Sequence, residues 1–150
     1  MGEKIITNTF YSEYFDENIK DIYLLEKNLA TKLWDLRIDP DANNFFRLDD
    51  NNPIIYNSKN IGDWRIYYDQ DDILGLQSYL NSNVAWKSDS LVFFCINKET
   101  IIKTNYNIFL NNIFNFLELH DDCPILLNEN GECMYFAPLG NIFYSLVGNL

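Results

Sequence analysis

The six residues Leu91-Val92-Phe93-Phe94-Cys95-Ile96 form the longest unbroken apolar run of the chain, and they constrain its fold more than any other feature. A membrane-spanning helix needs about 20 apolar residues, so this run is too short to cross a bilayer. A short apolar run that contains β-branched and aromatic residues is typical of a strand covered on both faces. The run therefore predicts a buried strand within a sheet.

The sequence that follows this run combines strand patterns with one helix pattern. Residues 100–104 suit a second strand, and Thr104 or Asn105 can cap a helix that carries apolar residues at helical spacing as far as Leu117. Asn130-Gly131 lies between two apolar runs, and an Asn-Gly pair in this setting is typical of a tight β-hairpin. A last apolar run at 142–147 completes a predicted three-strand meander.

The first part of the chain predicts helices joined by loops. Asp16 has the character of an N-cap, and apolar residues at helical spacing continue to about Ile38, with Asn28 able to divide the stretch in two. The cluster of Asp, Asn, Pro and Gly at 39–63 predicts a loop with one short edge strand. The acids Asp71-Asp72 precede a short helix.

These patterns together predict an α+β fold in one globular domain over residues 1–150. The expected order is N-terminal helices, then a mostly antiparallel sheet with one helix inserted, and a C-terminal three-strand meander. The 11 Phe, 10 Tyr and 3 Trp residues supply enough apolar volume for a substantial core.

The charge of the chain is strongly acidic, with 22 acidic and 11 basic residues and a net charge of −11. An apolar content of 47% is too high for a disordered acidic tail. A pI near 4.3 argues against direct binding to nucleic acid or to anionic lipid, because both need lysine and arginine to replace counterions. The charge instead indicates a basic partner.

The compartment predicted from the sequence is the cytoplasm. The N-terminus lacks the basic and apolar regions of a signal peptide. The sequence contains three cysteines, Cys95, Cys123 and Cys133, and none of them lies in a CxxC motif. Because their number is odd and the motif is absent, a disulfide framework is not expected.

The only histidine lies in the segment His120-Asp121-Asp122-Cys123. This segment can be interpreted as a base and a nucleophile, or as metal ligands together with Cys133. The alternative interpretation, which we favour, is a helix C-terminus followed by a turn. Phosphate-binding loops and common hydrolase motifs are absent from the sequence, so we predict neither an enzyme, nor a cofactor, nor a metal site.

The segment 63–72 interleaves Trp and Tyr with four Asp. Protein interfaces concentrate binding energy in Trp, Tyr and Arg, and carboxylates at their rim accelerate encounter with a basic partner. In the alternative interpretation, Trp64 and Tyr67 pack in the core and the Asp residues are merely solvated.

Basic residues stop at Lys103, while acidic residues continue to Glu132. A surface of one sign attracts an opposite charge, whereas a generic acidic surface is the simpler alternative. From both acidic regions we predict the following partner-binding residues: Asp63, Trp64, Tyr67, Asp69, Asp71, Asp72, Asp121, Asp122, Glu129 and Glu132.

Several segments between residues 84 and 140 resemble a family of small acidic bacterial proteins of unknown function. The segments that carry this resemblance are Val84-Ala85-Trp86, Leu91–Cys95, Thr100–Thr104, Phe109, Phe116-Leu117, Asp121–Leu126, Met134-Tyr135-Phe136 and Gly140. In size and charge the chain also resembles the immunity proteins of contact-dependent growth inhibition and related polymorphic toxin systems.

This resemblance implies a cytoplasmic toxin inhibitor that binds the C-terminal domain of a cognate toxin, which in many such systems is a nuclease with a basic active site. Two other functions remain open. One is a binding or adaptor domain for a small molecule or peptide that uses Trp64, Tyr67 and Tyr68, and burial of all three rings would exclude it. The other is a small enzyme that uses His120.

Overall fold

The computed structural model describes residues 2–119 and 122–147, and within them it contains eight strands and six α-helices. The strands are β1 (Glu3–Ile5), β2 (Tyr23–Leu25), β3 (Lys59–Asp63), β4 (Leu91–Asn97), β5 (Thr100–Asn105), β6 (Ile125–Asn128), β7 (Glu132–Phe136) and β8 (Asn141–Leu146). The helices are α1 (Lys27–Arg37), α2 (Pro53–Tyr56), α3 (Arg65–Asp69), α4 (Ile73–Asn83), α5 (Tyr106–Asn111) and α6 (Ile113–Leu117). Three 3₁₀ turns cover Ile6–Asn8, Ser12–Tyr14 and Phe45–Arg47. The α+β prediction is confirmed.

All eight strands join one antiparallel sheet in the order β1-β2-β5-β4-β6-β7-β8-β3. The predicted strand at 91–96 is β4, which pairs with β5 on one side and β6 on the other. Its residues alternate between two apolar clusters, so Phe94 packs on one face of the sheet and Cys95 on the other. The prediction of a strand within the sheet is confirmed.

Helices cover both faces of this sheet. On one face, α4, α5 and α6 contribute buried residues such as Leu76, Phe109 and Ile113. On the other face, α1 contributes Trp34 and α2 contributes Ile54. The apolar pattern of β4 follows from this arrangement, because a strand between two helical layers has no side in contact with water.

The C-terminal meander forms as predicted, with β6, β7 and β8 paired in sequence order. The side chain of Asn128 fixes the first turn by accepting hydrogen bonds from the backbone N–H groups of Asn130 and Glu132 at 2.9 and 3.0 Å. Gly131 has a φ of +83°, a conformation that glycine adopts without steric cost.

The predicted inserted helix consists of two short helices. Asn105 caps α5 by accepting a hydrogen bond from the N–H of Ile108 at 2.8 Å, as the sequence indicated. Asn112 lies between α5 and α6 with φ −124° and ψ 20°. Its side-chain amide donates to the Ile108 carbonyl at 2.9 Å, and this carbonyl also accepts the backbone N–H of Asn112 at 3.2 Å. The side chain thus competes with the backbone for one acceptor where the two helices meet.

The prediction of a helix that starts at Asp16 was wrong. Asp16 accepts a hydrogen bond from the N–H of Asn18, which fixes only a turn, and the chain then enters β2. Strand β2 pairs with β1 and β5, and α1 begins later, at Lys27. Pairing with β5, which is distant in sequence, overrides the local helical spacing.

The apolar pieces Phe45-Phe46 and Ile54-Ile55-Tyr56, on which the expected edge strand within 39–63 rested, lie instead in a 3₁₀ turn and in α2. The strand in this region is β3, which follows them and pairs with β8 at the border of the sheet. Its register shifts between Asn60 and Gly62, and this irregularity is a β-bulge. Among the described residues, no helix is long and apolar enough to pass through a membrane.

Candidate functional site

A surface cavity of about 430 Å³ lies at the end of the sheet where β6 and β8 begin and β3 and β7 end. Pairing of β6 with β7, of β7 with β8 and of β8 with β3 brings these four strand ends together. The aromatic side chains that line the cavity are Tyr14, Trp64, Tyr68 and Phe136. Residues from four distant parts of the sequence therefore share one concave surface.

Trp64 forms a fixed wall of this cavity and is only 8% exposed. Its indole N–H donates to the Ala137 carbonyl at 2.9 Å, and its backbone N–H donates to the Gly140 carbonyl at 2.8 Å. Gly140 has a φ of +123°, and a Cβ at this position would lie 2.5 Å from an oxygen of Asp63. The turn between β7 and β8, which contains Gly140, can thus approach the β3–α3 connection only because residue 140 lacks a side chain.

Tyr68 forms a second wall. Its ring packs edge-to-face against Trp64 and Phe114, with centroid distances of 5.8 and 5.2 Å. The hydroxyl of Tyr68 donates to the carboxylate of Glu118 at 3.0 Å. This hydrogen bond is the main cause of a raised pKa of the Tyr68 phenol, because it stabilises the protonated form.

Three charged residues, Arg65, Glu118 and Asp122, line the same cavity. The guanidinium carbon of Arg65 lies 5.3 Å from the centroid of the Trp64 ring, a cation–π geometry. None of the ion pairs between described residues joins Arg65 to Glu118. One cavity therefore presents a cation and an anion that no salt bridge joins.

Two of the predicted binding residues act as helix caps. Asp63 accepts hydrogen bonds from the backbone N–H groups of Arg65 and Ile66, at the start of α3. Asp72 accepts from the N–H of Gly75 and caps α4. The sequence reasoning anticipated acids before α4, and their observed hydrogen bonds show a structural role that does not depend on any partner.

The remaining predicted residues of this segment differ in exposure. Asp69 and Asp71 are exposed, whereas Trp64 is buried and Tyr67 is half-buried against Tyr79, with a centroid distance of 5.9 Å. Tyr67 does not line the cavity. The inward packing of Trp64, the partial burial of Tyr67 and the exposure of Asp69 and Asp71 agree with the alternative interpretation of the segment, and binding of a partner there stays a prediction.

Glu129 and Glu132 lie at the opposite end of β6 and β7. Glu132 accepts hydrogen bonds from the indole N–H of Trp86 and the hydroxyl of Tyr144, each at 2.7 Å. Glu129 accepts from the backbone N–H of Leu91 at 3.2 Å. Both glutamates line a second, mainly polar cavity of about 360 Å³ that also includes Trp86.

The predicted binding residues therefore do not form one continuous surface. Asp122 precedes β6 and Glu129 follows it, and a strand of this length separates its two ends by roughly 13 Å at about 3.3 Å per residue. Asp121 and His120, two further residues considered from the sequence, lie outside the described residues.

The three cysteines are buried and free. Burial is the main cause of a raised pKa of the Cys123 thiol, to about 12, and it also raises the pKa values of Cys95 and Cys133. These thiols stay protonated at neutral pH, and a protonated thiol is a poor nucleophile. Within 2–119 and 122–147, no cluster of three or more metal-binding side chains occurs.

The ion pairs are confined to one part of the molecule. In the portion of the chain that the structure describes, the pairs are Lys27–Glu99, Lys98–Asp35 and Lys103–Glu3. They involve α1, β1, β5 and the β4–β5 turn, whereas strands β6, β7 and β8 contain no lysine or arginine. None of these three pairs involves an acid of β6, β7 or α3, although Arg65 lies in α3 and Lys87 lines the same cavity as Glu129 and Glu132.

Sequence reasoning did not select Tyr14, Arg65, Glu118 or Phe136, although all four line the first cavity. The sequence does indicate that Arg65 is unusual, because it is the single cation within the acidic segment 63–72. It contains no comparable indication for Glu118 or Phe136, since their proximity to Trp64 depends on strand order and register.

Comparison with known families gives one match. A family model described as a protein of unknown function (DUF2947) matches residues 6–142. No curated protein and no solved structure matches the chain.

Proposed function

We propose that this chain, which belongs to the DUF2947 family of proteins of unknown function, is an immunity protein that neutralises a cognate basic toxin domain. In this proposal it acts in the cytoplasm of the cell that makes the toxin, as in contact-dependent growth inhibition. The toxin is expected to be a nuclease. The chain performs no catalysis, and it inhibits by covering the partner's active site.

The observation that carries this proposal is the unequal distribution of charge. A net charge of −11 coexists with ion pairs that involve only α1, β1, β5 and the β4–β5 turn in the described part of the chain. A nuclease site is basic because it holds phosphates, so exposed carboxylates such as those of Asp69 and Asp71 can take the place of those phosphates. Such complementarity also accelerates association with the correct partner.

The surface around α3 is the part of the molecule that best suits such a partner. Ile66 and Leu139 are 57% and 87% exposed there, in α3 and in the β7–β8 turn that packs beside it. Asp69, one turn after Ile66 in α3, and Asp71, just beyond the end of α3, are exposed as well. Apolar residues surrounded by charged residues are the usual arrangement of a protein interface. We call these four residues the α3 surface.

Co-expression with the toxin domain encoded immediately upstream tests this proposal. We expect growth rescue and a 1:1 complex whose affinity falls as salt concentration rises, because screening weakens the charge attraction. Asp69→Lys reverses a charge on the α3 surface and should slow association several-fold. Asp50→Lys, which changes another exposed aspartate far away in sequence, is the matched control and should have little effect. Absence of both binding and rescue would contradict the proposal.

The cavity beside Trp64 supports a second candidate function, the binding of a small molecule or peptide. Trp64 and Tyr68 line this cavity, and Tyr68 is not fully buried. Its volume of about 430 Å³ falls within the usual range for ligand pockets, about 300–1,000 Å³. Titration of the full chain with small ligands tests this candidate function independently of any toxin.

A further inference from the structure

We propose that the cavity beside Trp64 binds a small zwitterion, an α-amino acid with an apolar or aromatic side chain. Arg65 would bind the carboxylate of the ligand, Glu118 would bind its ammonium group, and the aromatic walls would contact its side chain. This inference rests on the second candidate function, small-ligand binding, and does not depend on the toxin partner.

The first argument is the separation of opposite charges within one cavity. Arg65 and Glu118 both line it, yet no salt bridge within the described residues joins them. Arg65 instead lies over the ring of Trp64, and Glu118 accepts a hydrogen bond from Tyr68. A guanidinium has five N–H donors and a carboxylate can accept several hydrogen bonds, so both groups keep capacity for a ligand.

The second argument is the rigidity of the walls. Trp64 is held by hydrogen bonds to the carbonyls of Ala137 and Gly140. Tyr68 is packed between Trp64 and Phe114, and its hydroxyl orients Glu118. Because the groups are already positioned, a ligand that binds here loses little free energy to ordering the site.

The third argument is the apolar part of the lining. Tyr14 and Tyr68 are half-buried and Pro138 is exposed, so their surface still meets water in the cavity. An apolar ligand side chain would remove part of this surface from water. The carboxylate, the ammonium group and the apolar side chain of a hydrophobic amino acid thus have matching groups in Arg65, Glu118 and the aromatic walls.

The mixed charge also disfavours simpler ligands. A cation without a carboxylate would lie near Arg65 without compensation, and an anion without an amine would lie near Glu118 and Asp122. Specificity of this kind depends on repulsion of the wrong ligand as well as attraction of the right one.

Isothermal titration calorimetry of the full chain with three matched compounds tests the inference. L-phenylalanine carries both charges, phenethylamine lacks the carboxylate, and 3-phenylpropionate lacks the amine. We expect L-phenylalanine to bind about tenfold or more tightly than either analogue, because each analogue loses a hydrogen-bonded charge pair.

Two variants test which charged side chain of the cavity binds which charged group of the ligand. Arg65→Gln should remove the preference for L-phenylalanine over phenethylamine, and Glu118→Gln should remove its preference over 3-phenylpropionate. Arg47→Gln and Glu26→Gln are the matched controls, because both residues are exposed and lie outside the cavity. The controls should bind L-phenylalanine as the unmodified chain does.

The possible failures are distinguishable. If an analogue binds as tightly as L-phenylalanine, the zwitterion inference is overturned while small-ligand binding remains supported. Absence of L-phenylalanine binding, or equal loss in the variants and their controls, overturns the inference as well. Neither result affects toxin neutralisation, which is measured in a separate experiment.

Discussion

The indole N–H of Trp86 donates a hydrogen bond of 2.7 Å to the carboxylate of Glu132, which lies 46 residues further along the chain. The same oxygen accepts the hydroxyl of Tyr144, also at 2.7 Å. Glu132 was predicted to bind a partner, and here it links the segment before β4 to β7 and β8. Its carboxylate therefore has a structural function whether or not it also contacts a toxin.

Glu132→Ala should lower the free energy of unfolding by about 2–4 kcal/mol, because it leaves two donors without their charged acceptor. Glu132→Gln keeps an acceptor oxygen and should cost less. Urea denaturation measures both variants, with Glu26→Gln as the exposed control. If Glu132→Ala is as stable as the control, these hydrogen bonds contribute nothing.

Gly140→Ala should destabilise the protein by about 1–3 kcal/mol or more, since it combines an unfavourable positive φ with steric overlap. The new Cβ would lie 2.5 Å from an oxygen of Asp63 and 2.9 Å from the Cβ of Arg65. Gly131→Asn is the control, because asparagine tolerates the φ of +83° at that turn. A thermal melt compares the variants, and equal Tm values would contradict the steric argument.

The stability of the fold should decrease at alkaline pH. Burial raises the pKa of the Cys123 thiol from an ordinary value of 9.0 to about 12, so between these values the unfolded chain loses a proton that the folded chain retains. The free energy of unfolding then falls with rising pH, by about 1.4 kcal/mol per pH unit for each such group.

Urea denaturation between pH 7 and 11 measures this dependence. Cys123→Ala removes one titrating group and should make the decline above pH 9 less steep, whatever its effect on stability at pH 7. An unchanged slope in this variant would show that Cys123 is not responsible.

The thiols of Cys95, Cys123 and Cys133 should be unreactive in the folded protein, since they are buried and protonated. A chromogenic disulfide reagent at pH 8 should detect almost no thiol before denaturant is added and three per chain afterwards. Rapid reaction of any thiol in the native state would contradict the observed burial.

Local signals in the sequence account for the elements that were predicted correctly. The hairpin at Asn130-Gly131 and the cap at Asn105 depend on side chains within a few residues, so their conformation is encoded locally. The strand β2 is different. It depends on pairing of Tyr23 with Lys103, and no local pattern reveals a partner that lies so far along the chain.

The candidate site was predictable only in part, for the same reason. Trp64 and Asp122 were chosen for their residue types, and both line the cavity. Their proximity depends on the order β6-β7-β8-β3, which the spacing of apolar residues does not specify. Glu129 and Glu132 were grouped with them by charge, although the sheet places these two residues at its other end.

The bulge in β3 has a consequence for how this protein meets other chains. Near the bulge, the N–H of Gly62 donates to the side chain of Asn60, and the carbonyl of Ile61 accepts the hydroxyl of Tyr79. These two backbone groups of β3 are thus already hydrogen-bonded within the chain and are not offered to a neighbouring strand. Lys59 adds a charge to the same strand, and a charged side chain disfavours pairing at a sheet edge. This border of the sheet is therefore less open to pairing with a strand of another chain.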